Sequence, residues 1–240
     1  MDYFKFIILL IIASIGFYVF FILKNKSIKG NGNIISKSFN TNSYDKIKIE
    51  GSLNVEFVKG NQGDLFVKTD ENLLEHLIVE VKNDILHLRI KNGFKLISKN
   101  GILITVPFEE IYEVKLSGSG NIETRDLIKT DNLSVVINGS GEISLNVESE
   151  NIIAEINGSG NIVIEGETTY LDASIAGSGD FDGLKLNSLI TKINILGSGN
   201  AKVVSKKEIT IKITGSGDVF YKGNPNKKVE IIGSGDVSKL

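Results

Sequence analysis

From Tyr112 to the end of the chain, apolar and polar residues alternate with a period of two, and the alternation restarts at a regular interval. The restart is marked by Gly-Ser-Gly, which begins at Gly118, Gly139, Gly158, Gly177, Gly197, Gly215 and Gly233, 18 to 21 residues apart. Six, four and two positions before these glycines stand Tyr112, Val114, Leu116; Leu133, Val135, Ile137; Ile152, Ala154, Ile156; Leu171, Ala173, Ile175; Thr191, Ile193, Ile195; Ile209, Ile211, Ile213; and Lys227, Val229, Ile231. Only Thr191 and Lys227 break the three columns. The intervening positions are mostly polar, as at Lys115, Ser134, Glu155, Asp172 and Lys212. Four residues past the same glycine the apolar face resumes with Ile122, Ile143, Ile162, Phe181, Ala201, Val219 and Val237. Strict alternation predicts strands with one buried face.

Each unit therefore reads as strand, Gly-Ser-Gly corner, strand. One such unit cannot bury its own apolar side, whereas a stack of equivalent units can. A period near twenty predicts one coil of a parallel β-helix, with each strand pairing in parallel to its equivalent in the next coil. The turn recurs because every coil must turn the same corner. Glycine makes such a corner without a Cβ clash, so Gly118 with Gly120, Gly139 with Gly141, Gly158 with Gly160, Gly177 with Gly179, Gly197 with Gly199, Gly215 with Gly217, and Gly233 with Gly235 are predicted structural turn residues. The rival arrangement, a meander of hairpins, needs a second turn as strongly marked, and the segments between repeats vary in length and composition.

Upstream of the repeats the pattern is β without regular repetition. The string YDKIKIEGSLNVEFVKG alternates around Gly51, LIVEVKNDILHLRIKN predicts a hairpin turning at Asn83-Asp84, and DENLLEHL has the length of one helical turn. Phe6–Leu23 runs 18 residues without a charge. At ~1.5 Å per residue a helix of that length nearly spans a hydrocarbon core of ~30 Å. The expected organisation is thus a membrane anchor over 1–23, a polar linker over 24–43, an N-terminal β segment capping the solenoid over 44–117, and the Gly-Ser-Gly β-helix over 118–240. Lys24, Lys26 and Lys29 follow the apolar segment. By the positive-inside rule they favour a cytoplasmic position for what comes after.

Composition narrows the chemistry. The 240 residues hold 25 Gly, 2 Pro and no Cys, with a net charge of −2. The basic residues are scattered, so there is no electrostatic footprint for nucleic acid. Without Cys there are no disulfides, thiolate metal sites, cysteine nucleophiles or lipoprotein attachment. None of the corner serines (Ser119, Ser140, Ser159, Ser178, Ser198, Ser216, Ser234) has the flanking glycines of a nucleophile elbow. His76 and His87 both precede the repeats. No Gly-Ser-Gly is followed by the third glycine of a dinucleotide fingerprint, and no phosphate-binding loop occurs. Asp180, Asp218 and Asp236 follow corners and raise calcium, but the known calcium nonapeptide repeats every nine residues with another acid spacing. Asn121, Glu142, Asn161 and Asn200 take the same place elsewhere, so the column reads as turn stabilisation. No catalytic residue, cofactor site or metal site is expected.

The strings YDKIKIEGSLNVEFVKG, ENLLEHLIVEVKNDILHLRI, INGSGEI, INGSGNI and YKGNPNKKVEIIGSGDV, spread over Phe39–Leu240, resemble a bacterial family described as the auto-transporter adhesin head GIN domain. The resemblance implies a right-handed, pectin-lyase-like parallel β-helix, an envelope location with the β-domain outside the cytoplasm, no recognised catalytic residues and a role in adhesion. The expected function is a non-catalytic binding or structural module held at the membrane by residues 6–23, with surface glycans or proteins as partners and no nucleotide or nucleic acid. The alternative is a carbohydrate-active lyase or hydrolase. That chemistry needs converging carboxylates, or a base with Arg and a metal, and the chain has only Arg89 and Arg125.

Overall fold

The structure, a computed structural model, describes residues 26–240. The expected membrane segment Phe6–Leu23 lies outside them; among the described residues no helix is long and apolar enough to cross a membrane. The architecture is all-β, a solenoid of about seven turns.

The N-terminal part holds strands β1 (Lys26–Lys29), β2 (Ile34–Asn40), β3 (Lys46–Glu50), β4 (Asn54–Lys59) and β5 (Asp64–Asp70). A 3-10 turn, Glu71–His76, leads into β6 (Leu77–Lys82), β7 (Ile85–Ile90), β8 (Phe94–Ile97) and β9 (Leu103–Phe108). The repeats supply β10 (Glu113–Gly118), β11 (Asn121–Thr124), β12 (Ile128–Gly139), β13 (Glu142–Gly158), β14 (Asn161–Gly177), β15 (Asp180–Gly197), β16 (Ala201–Gly215), β17 (Val219–Lys222), β18 (Asn226–Gly233) and β19 (Val237–Lys239).

In the repeats, chain order is stacking order. β12 pairs in parallel with β13, β13 with β14, and β14 with β15, in a register that sets Ile137 on Ile156, Ile156 on Ile175, and Gly139 on Gly158 on Gly177. Parallel pairing of equivalent residues is what the columns require, because it lines identical apolar faces along one interior. Val135, Ile137, Ile156, Ile175, Ile193, Ile195, Ile211 and Ile213 are all buried, as are Ile143, Ile162, Phe181 and Ala201 on the facing wall. Full burial of each such aliphatic side chain stabilises by about 1.5–3 kcal/mol. The columns fray at their ends, where Tyr112, Val229 and Ile231 remain 38–39% exposed.

The N-terminal part stacks out of chain order. β3 lies between β7 and β10, and β4 between β9 and β11, all parallel. Gly51-Ser52-Leu53 therefore turns the corner of a coil beneath the first Gly-Ser-Gly, and the β7–β9 coil sits below that. The predicted hairpin joins β6 to β7 in antiparallel register, with Asn83 and Asp84 at φ 51° and 60°, the primed-turn geometry that matches strand twist. The predicted helical turn is the 3-10 turn.

Two expectations change. The segment 24–43, expected to be a linker, carries β1, paired in parallel with β8, and β2, paired antiparallel with β5. Its polar composition hid the strands because they lie at the rim, where most of their residues stay exposed or half-buried. The second turn also proves to be marked in the coils of β13, β14 and β15. In β13 the buried positions run 143, 145, 147 and 149 and then 152, 154 and 156, so the alternation slips by one residue at Glu150. That slip is the bend.

Candidate functional site

The corner glycines have two separate physical reasons. The first of each pair sits at φ between +129° and +138°, a region that disfavours any side chain. The second, unlike the expectation for a turn glycine, is not in that region; it lacks space. A Cβ on Gly160 would lie 2.6 Å from the Gly141 carbonyl oxygen and 2.8 Å from Ile137 Cγ2. The corner serines are exposed and contribute their backbone: Ser140 N–H donates to the Gly118 carbonyl at 3.0 Å and Ser159 N–H to that of Gly139 at 2.9 Å.

The polar residue after each corner forms a ladder. Asn161 Oδ1 accepts from Asp180 N–H at 3.2 Å, Asp180 Oδ1 from Asn200 N–H at 2.8 Å, Asn200 Oδ1 from Asp218 N–H at 3.1 Å, and Asp218 Oδ1 from Asp236 N–H at 2.8 Å. Each side chain thus satisfies a backbone donor one coil along, which is the turn-stabilising role expected of this column.

Spatially, the second bend is the more notable place. A column of hydroxyls lines its inner side: Ser149, Thr168, Ser188 and Ser205, at 8%, 6%, 0% and 0% exposure. Buried hydroxyls need partners. Ser149 Oγ lies 2.9 Å from the Asn151 carbonyl and 3.1 Å from that of Asp131, Thr168 Oγ1 lies 3.1 Å from the Tyr170 carbonyl, and Ser188 Oγ donates to Val204 at 2.6 Å. These residues hold the bend from inside. Sequence reasoning missed them; the available signal was Ser or Thr recurring at the alternation slip.

Outside the same bend runs a groove of about 590 Å³, spanning Glu110 to Lys206 across several coils. Glu110, Asp131, Glu148, Glu150 and Glu167 line it against Lys129 and Lys206, so its charge is net negative. Lys129 Nζ meets Glu148 Oε2 at 2.8 Å. Tyr112 stands at one end with its hydroxyl donated to Glu110. That bond, the Glu110 charge, some desolvation, and the charges of Asp45 and Asp131 push the phenol pKa up. The groove thus offers an aromatic face beside carboxylates on a rigid wall.

The residues weighed for catalysis are not brought together. His76 packs on the Phe94 ring, centroids 4.4 Å apart, and half-buried His87 lies on β7 between buried Leu86 and Leu88. Arg89 faces Glu80 at 3.8 Å, while Arg125 is bound by Glu56. Among the described residues no group of three or more His, Asp or Glu could hold a metal.

A parallel all-β solenoid of about seven coils with glycine corners defines the class of β-solenoid repeat proteins. Within it, the chain belongs to the family described as "Putative auto-transporter adhesin, head GIN domain", whose model matches residues 43–225. Among solved structures it is similar to a protein of Parabacteroides distasonis titled a putative lipid binding protein, at 26% identity and TM-score 0.76, over 90% of this chain and 100% of that one. It is also similar to a putative adhesin of Bacteroides fragilis, at 20% identity and TM-score 0.84, over 89% and 100%. A putative adhesin of Parabacteroides merdae aligns at 22% identity and TM-score 0.71, over 89% and 99%. No curated protein matches the chain. The family is adhesin-like and points to a surface-exposed protein with an adhesion-like function.

Proposed function

We propose that the protein is a non-catalytic adhesion module of the bacterial envelope, tethered through residues 6–23, which binds surface glycans along the flank groove. The observation that supports this is the groove itself: Tyr112 supplies a flat apolar face, and Glu110, Asp131, Glu150 and Glu167 supply acceptors for hydroxyl or amine groups. A concave site with a few placed polar groups is the usual form of a ligand site. Net negative charge selects neutral or amine-bearing sugars, because an anionic polysaccharide meets like charge. The groove crosses coils whose spacing is fixed by backbone pairing, so binding requires little ordering of the protein.

The test is binding of the full chain to arrays of neutral, amine-bearing and acidic glycans. Neutral or amine-bearing glycans should bind best, and Tyr112→Ala with Glu150→Gln should weaken them at least tenfold. Unchanged binding in that variant, or preference for acidic glycans, overturns the groove assignment. Appearance of unsaturated or reducing-end products would instead make the protein an enzyme. In cells, deletion should abolish surface attachment, and a tethered version should restore it where a released one does not.

A further inference from the structure

The two ends of the solenoid are finished differently. At the N-terminal end β6 covers β7 and β5 covers β9, both antiparallel, with β2 beyond β5. At the C-terminal end β18 pairs with β16 and β19 with β17. Among the described residues their outer edges pair with nothing, so a row of backbone donors and acceptors faces outward. Such an edge is a template for another strand unless something blunts it.

The columns change character in this coil. One coil earlier the inward positions are Ile209, Ile211 and Ile213 on one wall and Val219 and Tyr221 on the other, none more than 8% exposed. The register carries these onto Lys227, Val229, Ile231, Val237 and Lys239. Two apolar columns thus end in lysine, one on each wall. Lys227 Nζ stands 5.4 Å from the centre of the Tyr221 ring. The ammonium itself lies over the ring face, a cation–π contact, and the residue stays exposed. Lys239 Nζ donates to Asn224 Oδ1. The neighbouring carboxylate, Glu230, is turned to the outer wall and meets Lys212 Nζ at 3.2 Å.

We infer that Lys227 and Lys239 are a built stop that withholds the outer edges of β18 and β19 from a second copy of this chain. The end is otherwise suited to self-pairing. An antiparallel two-fold arrangement of β18 centred on Val229 places Lys228 of one copy across from Glu230 of the other, and brings both Val229 side chains together. Asp236, exposed and bound by the Ser238 hydroxyl, feels the Lys227 charge but forms no ion pair with it. Stacking would also enclose two ammonium groups from each copy, and burying a charge without a paired partner costs more than apolar contact returns. This coil is separate from the flank groove, which runs from Glu110 to Lys206.

The chain has no cysteine, so a nitroxide on Ser234→Cys reports only on this end. In the full chain, solubilised in nonionic detergent, pulsed dipolar spectroscopy should find no short intermolecular distance for the wild-type end. Lys227→Ile with Lys239→Val should create one, adding Ile231→Lys should remove it again, and Lys227→Arg alone should stay silent. Should the double variant fail to give a folded β signal by circular dichroism, Lys227→Met, which keeps an unbranched stem, serves in its place. A coupling already present in the wild type overturns the inference. So does its absence in the folded lysine-free variant, or its persistence after Ile231→Lys.

Discussion

The repeats and the N-terminal part share one core but are assembled on different terms. In the repeats each residue pairs with its equivalent one coil away, as Ile156 does with Ile137 and Ile175. In the N-terminal part Ile47 meets Leu86 on one side and Val114 on the other. The chain lays down β3 and β4, goes beneath them for β7 and β9, then crosses to the opposite side. Closing such loops costs entropy before any contact repays it. The benefit is an end covered by antiparallel strands, where simple stacking would leave an open edge. Repetition therefore builds the length of this molecule, and departure from repetition builds its cap.

Substitutions can break that contrast at several points. The largest effect should come from the stack interior. Ile156→Asp loses about 1.5–3 kcal/mol of burial and adds an unpaired buried carboxylate, so it should unfold the repeats, whereas exposed Glu155→Lys should stay within about 0.5 kcal/mol of wild type. Equal urea midpoints for the two would refute the assignment of faces. Next come the glycines. Gly160→Val drives a side chain into the Gly141 carbonyl and should cost about 3 kcal/mol or more, in the range of severe overpacking. Gly60, at the end of β4, has its nearest atom to a Cβ, that of Pro107, at 3.9 Å. Gly60→Ala should accordingly be neutral or stabilise by up to about 1 kcal/mol. If thermal unfolding ranks these in reverse, the crowding of the corners is not what fixes them.

The two serine positions sharpen the comparison further. Ser188→Ala leaves the Val204 carbonyl without its buried donor and should cost about 1–3 kcal/mol, while Ser159→Ala at an exposed corner should change stability by less than about 0.5 kcal/mol. Matched denaturation curves would test both. The smallest effect lies in the cap. The Asp70 carboxyl is held below the usual carboxylate range, first by the Ser98 hydroxyl and then by Gly32 N–H at 2.7 Å. A lowered folded-state pKa gives stability that is complete above about pH 4, the unfolded value, and is lost as pH falls through the folded one. The protection factors of the β2 amides, exchange taken relative to the intrinsic rate at each pH, should therefore fall at acid pH in the wild type. Asp70→Asn should remove that acid response; an unchanged profile would place the acid sensitivity elsewhere.

Much of the solenoid was legible because its information is local. Alternation sets which side chains point inward, and the Gly-Ser-Gly spacing sets coil length. The second bend was legible in principle, as the slip at Glu150, but varied residues such as Leu189 and Lys206 on its outer side disguised it. The flank groove was not legible. Glu110, Glu148 and Glu167 read individually as solvated strand positions, and only stacking sets them side by side with Tyr112 at the end of the row.

By itself, then, the sequence determined an all-β stack, the facing of nearly every residue in it, and the places where no side chain fits. The tertiary structure decided what rests on pairing between distant segments. It made strands of the polar stretch containing Ile34–Asn40, which β5 recruits. It also put the Gly51 coil beneath the Gly118 corner and covered the N-terminal coil with antiparallel strands. The physical reason is that side-chain alternation fixes a strand's faces, while its neighbours depend on which backbone edges remain free once the rest of the chain has folded.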